Sequence, residues 1–185
     1  MKKLIRNHNA GDLLKIAVVV VLLVPGITSA ATATTNLAVS ASVAQTCTIT
    51  TTPLAFGVYD PVVANVSTNL NGNGTVVVTC TKGATGVTVG MDNGTHFTTT
   101  RRMLGGTSAD FLSYELFQPP NTTPSTACTF PGTTAWTNTG AGLLTLTAAP
   151  SKAARTYNVC GTVPQAQDVS ADPSYTDTVI ATVTF

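Results

Sequence analysis

Thr35-Asn36-Leu37-Ala38-Val39-Ser40-Ala41-Ser42-Val43-Ala44-Gln45-Thr46 is the stretch on which the completeness of this fold turns. Leu37, Val39, Ala41 and Val43 recur at every second position. Asn36, Ser40 and Ser42 alternate with them, alongside the small Ala38 and Ala44. Side chains on a strand point alternately to its two faces, so this spacing predicts an extended strand with one apolar and one polar side. No turn signal ties the segment back to the chain beyond Thr46. Such a strand either completes its own domain or is given to another molecule.

Upstream, the sequence predicts a cleaved export signal over residues 1 to 30. Lys2, Lys3, Arg6 and Lys15 are basic, Ile16 to Val24 is an unbroken apolar run, and Pro25-Gly26 is followed by small residues suited to cleavage. Nine apolar residues are about half of the ~20 needed to cross a bilayer, so no stable membrane insertion is expected once the signal is removed. What remains is about 155 residues, an ordinary length for one domain. It has five bases, Lys82, Arg101, Arg102, Lys152 and Arg155, against seven acids. That sparse and slightly acidic charge gives no footprint for nucleic acid and no basic patch for lipid.

Downstream, threonine alternates with β-branched partners in Thr75-Val76-Val77-Val78-Thr79 and Thr178-Val179-Ile180-Ala181-Thr182-Val183-Thr184. These residues suit a pleated surface. Gly, Asn and Pro interrupt the chain every dozen residues or so, which reads as a β-sandwich of short strands. Strands are predicted from Cys47, over 75–81, 86–91, 111–117, 143–147 and 156–163, and as one long final strand over 175–185. Asn69-Leu70-Asn71-Gly72-Asn73-Gly74 reads as a turn cluster. Pro53 to Pro61 reads as a turn or edge segment.

Cys47, Cys80, Cys128 and Cys160 all lie in the exported part and allow three pairings. The sequential one, Cys47–Cys80 with Cys128–Cys160, sets each cysteine at a strand-like segment. Disulfides are expected over metal: no Cys-x-x-Cys occurs and His96 is the single histidine after the leader. No metal, cofactor or catalytic residue is expected. His96 follows a turn among threonines, no Gly-x-Ser-x-Gly elbow occurs, and the aspartates sit in turns, where they cap backbone. Arg101-Arg102 reads as a solvated turn with one stem against an aromatic. Trp136 reads as a core anchor, with a sugar-stacking platform as the alternative.

Several stretches in order resemble the spore coat protein U domain family, which includes subunits of archaic (Csu-type) chaperone–usher pili. They are Cys47-Thr48-Ile49, Pro53-Leu54-Ala55-Phe56-Gly57-Val58-Tyr59-Asp60-Pro61, Gly74-Thr75-Val76-Val77-Val78-Thr79-Cys80-Thr81 and Arg102-Met103. They continue with Leu112-Ser113-Tyr114-Glu115-Leu116-Phe117, Trp136, Tyr157-Asn158-Val159-Cys160-Gly161-Thr162-Val163-Pro164, and Tyr175-Thr176-Asp177-Thr178-Val179 with Phe185. The family usually carries an aromatic at the position of Cys160, so the second bridge reads as an addition.

The resemblance implies an all-β, incomplete immunoglobulin-like sandwich over residues 47–185, completed by a donated N-terminal strand over residues 31–46. Leu37, Val39, Ala41 and Val43 would then be the side chains that fill a neighbour's groove. The implied partners are neighbouring pilus subunits, a periplasmic chaperone and an outer-membrane usher. The implied route is export to the periplasm and then the cell surface, for adhesion and biofilm formation. A secreted coat protein of the same fold and a carbohydrate-binding module are the alternatives.

Overall fold

The computed structural model describes residues 29–185, so the signal read over residues 1–30 lies outside the described residues through position 28. The chain divides into two units, residues 1–41 and 42–185. Among the described residues, every strand belongs to the second and no α-helix occurs.

Among the described residues nine strands run in chain order: β1 Cys47–Thr52, β2 Leu70–Cys80, β3 Thr88–Met91, β4 Arg101–Gly105, β5 Phe111–Phe117, β6 Leu144–Thr145, β7 Arg155–Val163, β8 Tyr175–Thr176 and β9 Ala181–Thr184. They pair antiparallel in two sheets, β1-β2-β7-β5-β4-β8 and β6-β3-β9. The alternation in the sequence sets what each sheet buries. Val76 and Val78 of β2, Leu112, Tyr114 and Leu116 of β5, and Tyr157 and Val159 of β7 face inward from the large sheet. Val89 and Met91 of β3 and Leu144 of β6 meet them from the small one. Removing each such side chain from water stabilises by about 1.5–3 kcal/mol. This is the predicted all-β sandwich.

Three local expectations change. Asn71-Gly72-Asn73-Gly74 forms no turn but is the first half of β2, paired with β7 from Leu70↔Val163 onward. Its glycines answer a close approach rather than a positive φ. Gly72 lies directly opposite Gly161, and the irregular stretch Pro53–Phe56 crosses over both. A Cβ at Gly72 would stand 3.1 Å from the Ala55 carbonyl oxygen, and one at Gly161 would stand 2.8 Å from the Phe56 ring. Glycine inside a strand marks such an approach.

The long final strand is broken in two. Tyr175 and Thr176 pair with Gly105 and Leu104 in the large sheet, whereas 181–184 pair with β3 in the small one. Between them the chain crosses sheets, because polar groups hold the crossing. The Asp177 carboxylate accepts from Thr95 N at 2.9 Å and from the Tyr114 hydroxyl at 2.7 Å, and Ile180 N donates to Asp92 Oδ1 at 2.9 Å.

Arg101-Arg102 is not a solvated turn either; it opens β4. Arg101 is buried, and its guanidinium donates to the carbonyls of Met91, Asp92 and Trp136. Arg102 does lie on an aromatic, 4.1 Å above the Phe111 ring centre.

Candidate functional site: an open sheet edge above an apolar cleft

β9 is hydrogen-bonded to β3 on one side and is the last strand of its sheet, so alternate backbone N–H and C=O groups along its outer side have no ladder partner among the described residues. Its side chains agree. Ala181 and Val183 pack against the core yet remain only half-buried, as does Val179 just before them, while Ile180 is 62 % exposed. A strand lying beside β9 would cover them.

Below this edge the sandwich gapes. A cleft of about 360 Å³ opens between the end of β1 and the β8–β9 crossing. Leu54, Phe56, Met103, Tyr114, Leu116, Val159, Val179 and Ala181 line it, with Thr51, Thr52, Thr176 and Thr178 on its rim. A second concavity of about 890 Å³ shares Leu54, Phe56, Met103 and Tyr175 with the first. It continues past Leu70 and Leu112 between the stretches 57–62 and 169–174. Leu54 and Phe56 thus form a partition between two apolar hollows. The glycines beneath let them sit low, and the Phe56 ring stands 6.0 Å from that of Tyr114. None of these wall residues stands out from the sequence as a site. The signal present there is an apolar, proline-led stretch at 53–56 together with three glycines in flanking strands.

The polar end of the cleft serves the structure. Asp177, 2 % exposed at its side chain, holds Tyr114 and Thr95, and lies 3.2 Å from His96 Nδ1. Burial, followed by the bond to Asp177, pushes the Tyr114 hydroxyl far above its ordinary range, so it remains a proton donor. Asp60, Asp92, Asp110 and Asp172 accept from backbone N–H groups, as expected of aspartates in turns. Asp60 accepts from Val62 N and Val63 N, and Asp172 accepts from Gly106 N, Thr107 N, Ser108 N and Ser174 N. Those bonds hold the Asp172 carboxyl well below the usual carboxylate range.

Trp136 is fully buried and its Nε1 donates to the Val89 carbonyl at 2.9 Å. It offers no face on which a sugar could stack. Cys47 is bonded to Cys80 across the first cross-strand pair of β1 and β2, and Cys128 to Cys160.

Leu37 and Val39 are each 86 % exposed and Val43 83 %, and Ala41 is exposed too. Among the described residues, 35–46 enter no ladder. At its C-terminal end, Gln45 Nε2 donates to Thr85 O, Thr85 N donates to Gln45 Oε1, and Thr81 N donates to Thr46 O.

Comparison with known proteins gives concordant results. A family model described as the Spore Coat Protein U domain matches residues 33–182. "Protein U" of Myxococcus xanthus is 37% identical over 169 residues, covering 84% of this chain and 87% of that protein. Among solved structures, the chain resembles the CsuC-CsuE chaperone-tip adhesion subunit pre-assembly complex from the archaic chaperone-usher Csu pili of Acinetobacter baumannii. The TM-score is 0.53 at 21% identity, over 78% of this chain and 41% of the matched one. This likeness is one of fold, and the chain spans less than half the length of the chain it matches there.

Proposed function

This chain belongs to the spore coat protein U domain family, and from that premise we propose that it is a pilus subunit polymerised by donor-strand exchange. It is a structural protein and not an enzyme. In the proposed fibre, residues 35–46 of one subunit lie beside β9 of the next, and Leu37, Val39, Ala41 and Val43 enter its cleft. A periplasmic chaperone occupies the cleft first, and an outer-membrane usher exchanges it for the neighbour's segment. The assembled surface fibre serves adhesion and biofilm formation.

The observation that carries this reading is the open outer edge of β9 above half-buried Val179, Ala181 and Val183. A bare edge over an apolar hollow promotes uncontrolled association. Strand addition resolves that by main-chain hydrogen bonds for affinity and alternating side chains for register. An alternating segment of the right chemistry is exposed in the same chain, and the family match begins at residue 33, ahead of it. The fold shared with a chaperone-bound pilus subunit agrees.

The deciding experiment contrasts two neighbouring substitutions. Val39→Asp places a carboxylate in an apolar hollow, which costs roughly several kcal/mol unless it is paired or protonated. Ser40→Asp points to the opposite face. Val39→Asp subunits are expected to be exported but poorly incorporated, and Ser40→Asp subunits to assemble nearly as wild type. Heat-resistant ladders on gels should vanish when residues 31–46 are deleted. Equal fibre yield from the two aspartate variants would rule out this segment as the donor.

A second reading has the family's own description behind it: a secreted coat protein that assembles without an usher. Chaperone and usher genes beside this one would favour the pilus, and their absence the coat.

A further inference from the structure

On the inward face of β7, three buried polar atoms have no hydrogen-bond partner among the described residues: Nε and Nη2 of Arg155 and the hydroxyl of Tyr157. Arg155 is 6 % exposed and Tyr157 1 %. They sit two residues apart on one strand, so both side chains project to the same side. Opposite them on β2 lie Val78 and Val76, each fully buried. The remaining guanidinium nitrogen, Nη1, donates to Thr147 O at 2.7 Å and ties the group to the stretch after β6.

The charge is as unpaired as the atoms. Among the described residues, the sole contact within 4.0 Å between a basic and an acidic side chain is that of His96 with Asp177. An arginine does not lose its proton in a protein. A guanidinium out of water needs either a set of carbonyl acceptors, as Arg101 has, or a counter-charge, and Nε and Nη2 of Arg155 have neither among the described residues. Burial pushes the Tyr157 hydroxyl's pKa up, so it too stays a donor.

We propose that Arg155 and Tyr157 form an interior site for one small monovalent anion of chloride size, bound by Nε, Nη2 and the phenol hydroxyl. The ligand must be an acceptor, because every unpartnered atom can give a hydrogen. It must carry one negative charge, since that neutralises the guanidinium, whereas a divalent anion would leave an excess inside the sandwich. A water would accept hydrogen bonds yet leave the charge uncompensated. A carboxylate from another molecule cannot serve, because the three atoms expose no surface. The anion is therefore taken up as the two sheets close.

Bromide, which replaces chloride and scatters anomalously, is the probe. Crystals of the exported protein grown in bromide should show an anomalous peak within hydrogen-bond distance of Arg155 Nε and Nη2. In halide-free gluconate, adding chloride or bromide should raise the thermal midpoint by several degrees and saturate, while sulfate at matched ionic strength should not. Tyr157→Phe should weaken the apparent halide affinity about tenfold, the loss of one hydrogen bond to a charged group. Arg155→Met should abolish the halide dependence. If that variant does not fold, the bromide map and Tyr157→Phe still decide. No anomalous peak, or equal stabilisation by sulfate, would overturn the proposal.

Discussion

The small sheet is finished in two ways. Near β3's Met91 end the structure is closed by Trp136 and Arg101: the indole is fully buried, and every hydrogen bond of the guanidinium goes to a backbone carbonyl. Along β9 the same kind of apolar residue, Val179, Ala181 and Val183, stays half-buried beside an unpaired edge. Both regions turn apolar side chains toward the core. They differ in whether the chain supplies the last covering layer itself. The closed region is therefore where stability is expected to reside, and the open one where assembly is.

Substitutions can test that division. Trp136→Ala should be the most damaging, at about 3–5 kcal/mol for a large fully buried aromatic, read by urea unfolding of the exported chain. If instead that variant kept its stability and lost surface binding, the closed region would be a ligand site. Removing the second bridge, Cys128→Ala with Cys160→Ala, comes next. Its residues are 32 apart in sequence, which on the loop-entropy relation is worth about 3.7 kcal/mol. Non-reducing peptide mapping of the wild type should recover both links. Val183→Ala on the open edge should cost the body only about 0.5–1 kcal/mol, since the lost methyls are half in water already. Its effect should appear as lower fibre yield. A large loss of body stability there would mean that β9 is already covered. Smallest is Arg102→Gln, which removes the cation over Phe111 and should cost about 0.5 kcal/mol.

How far the sequence foretold this depends on the range of the forces involved. Local alternation marked the second half of β2, and β5 and β7, because one face of each is buried and period two reports burial directly. Asn71 to Gly74 misled because Asn-Gly is a strong turn signal, whereas these glycines answer Pro53–Phe56, some twenty residues earlier in the chain. The final stretch, 175–185, alternates without a break, yet Asp177 and Ile180 are claimed by the turn at 92–95 and the strand divides. The cleft itself has no local signature. It is a missing layer, and a sequence advertises the residues it has, so Leu54, Phe56 and Val179 emerged as walls only in three dimensions.

The bridge between Cys47 and Cys80 bears on mechanics. It joins the first residue of β1 to the last of β2, right where residues 35–46 leave the body. Hydrogen bonds loaded from the end of a hairpin fail singly, like a zip. A pull arriving through Thr46 meets the bonds of Gln45 and Thr46 to Thr85 and Thr81 and then a covalent link before any ladder bond beyond it, so tension passes into β2, the strand between β1 and β7. β1 cannot be peeled away from its leading end. A tether fixed there loads the middle of the large sheet instead of its margin, and the domain should yield in shear across several strands at a much higher force than unzipping would need.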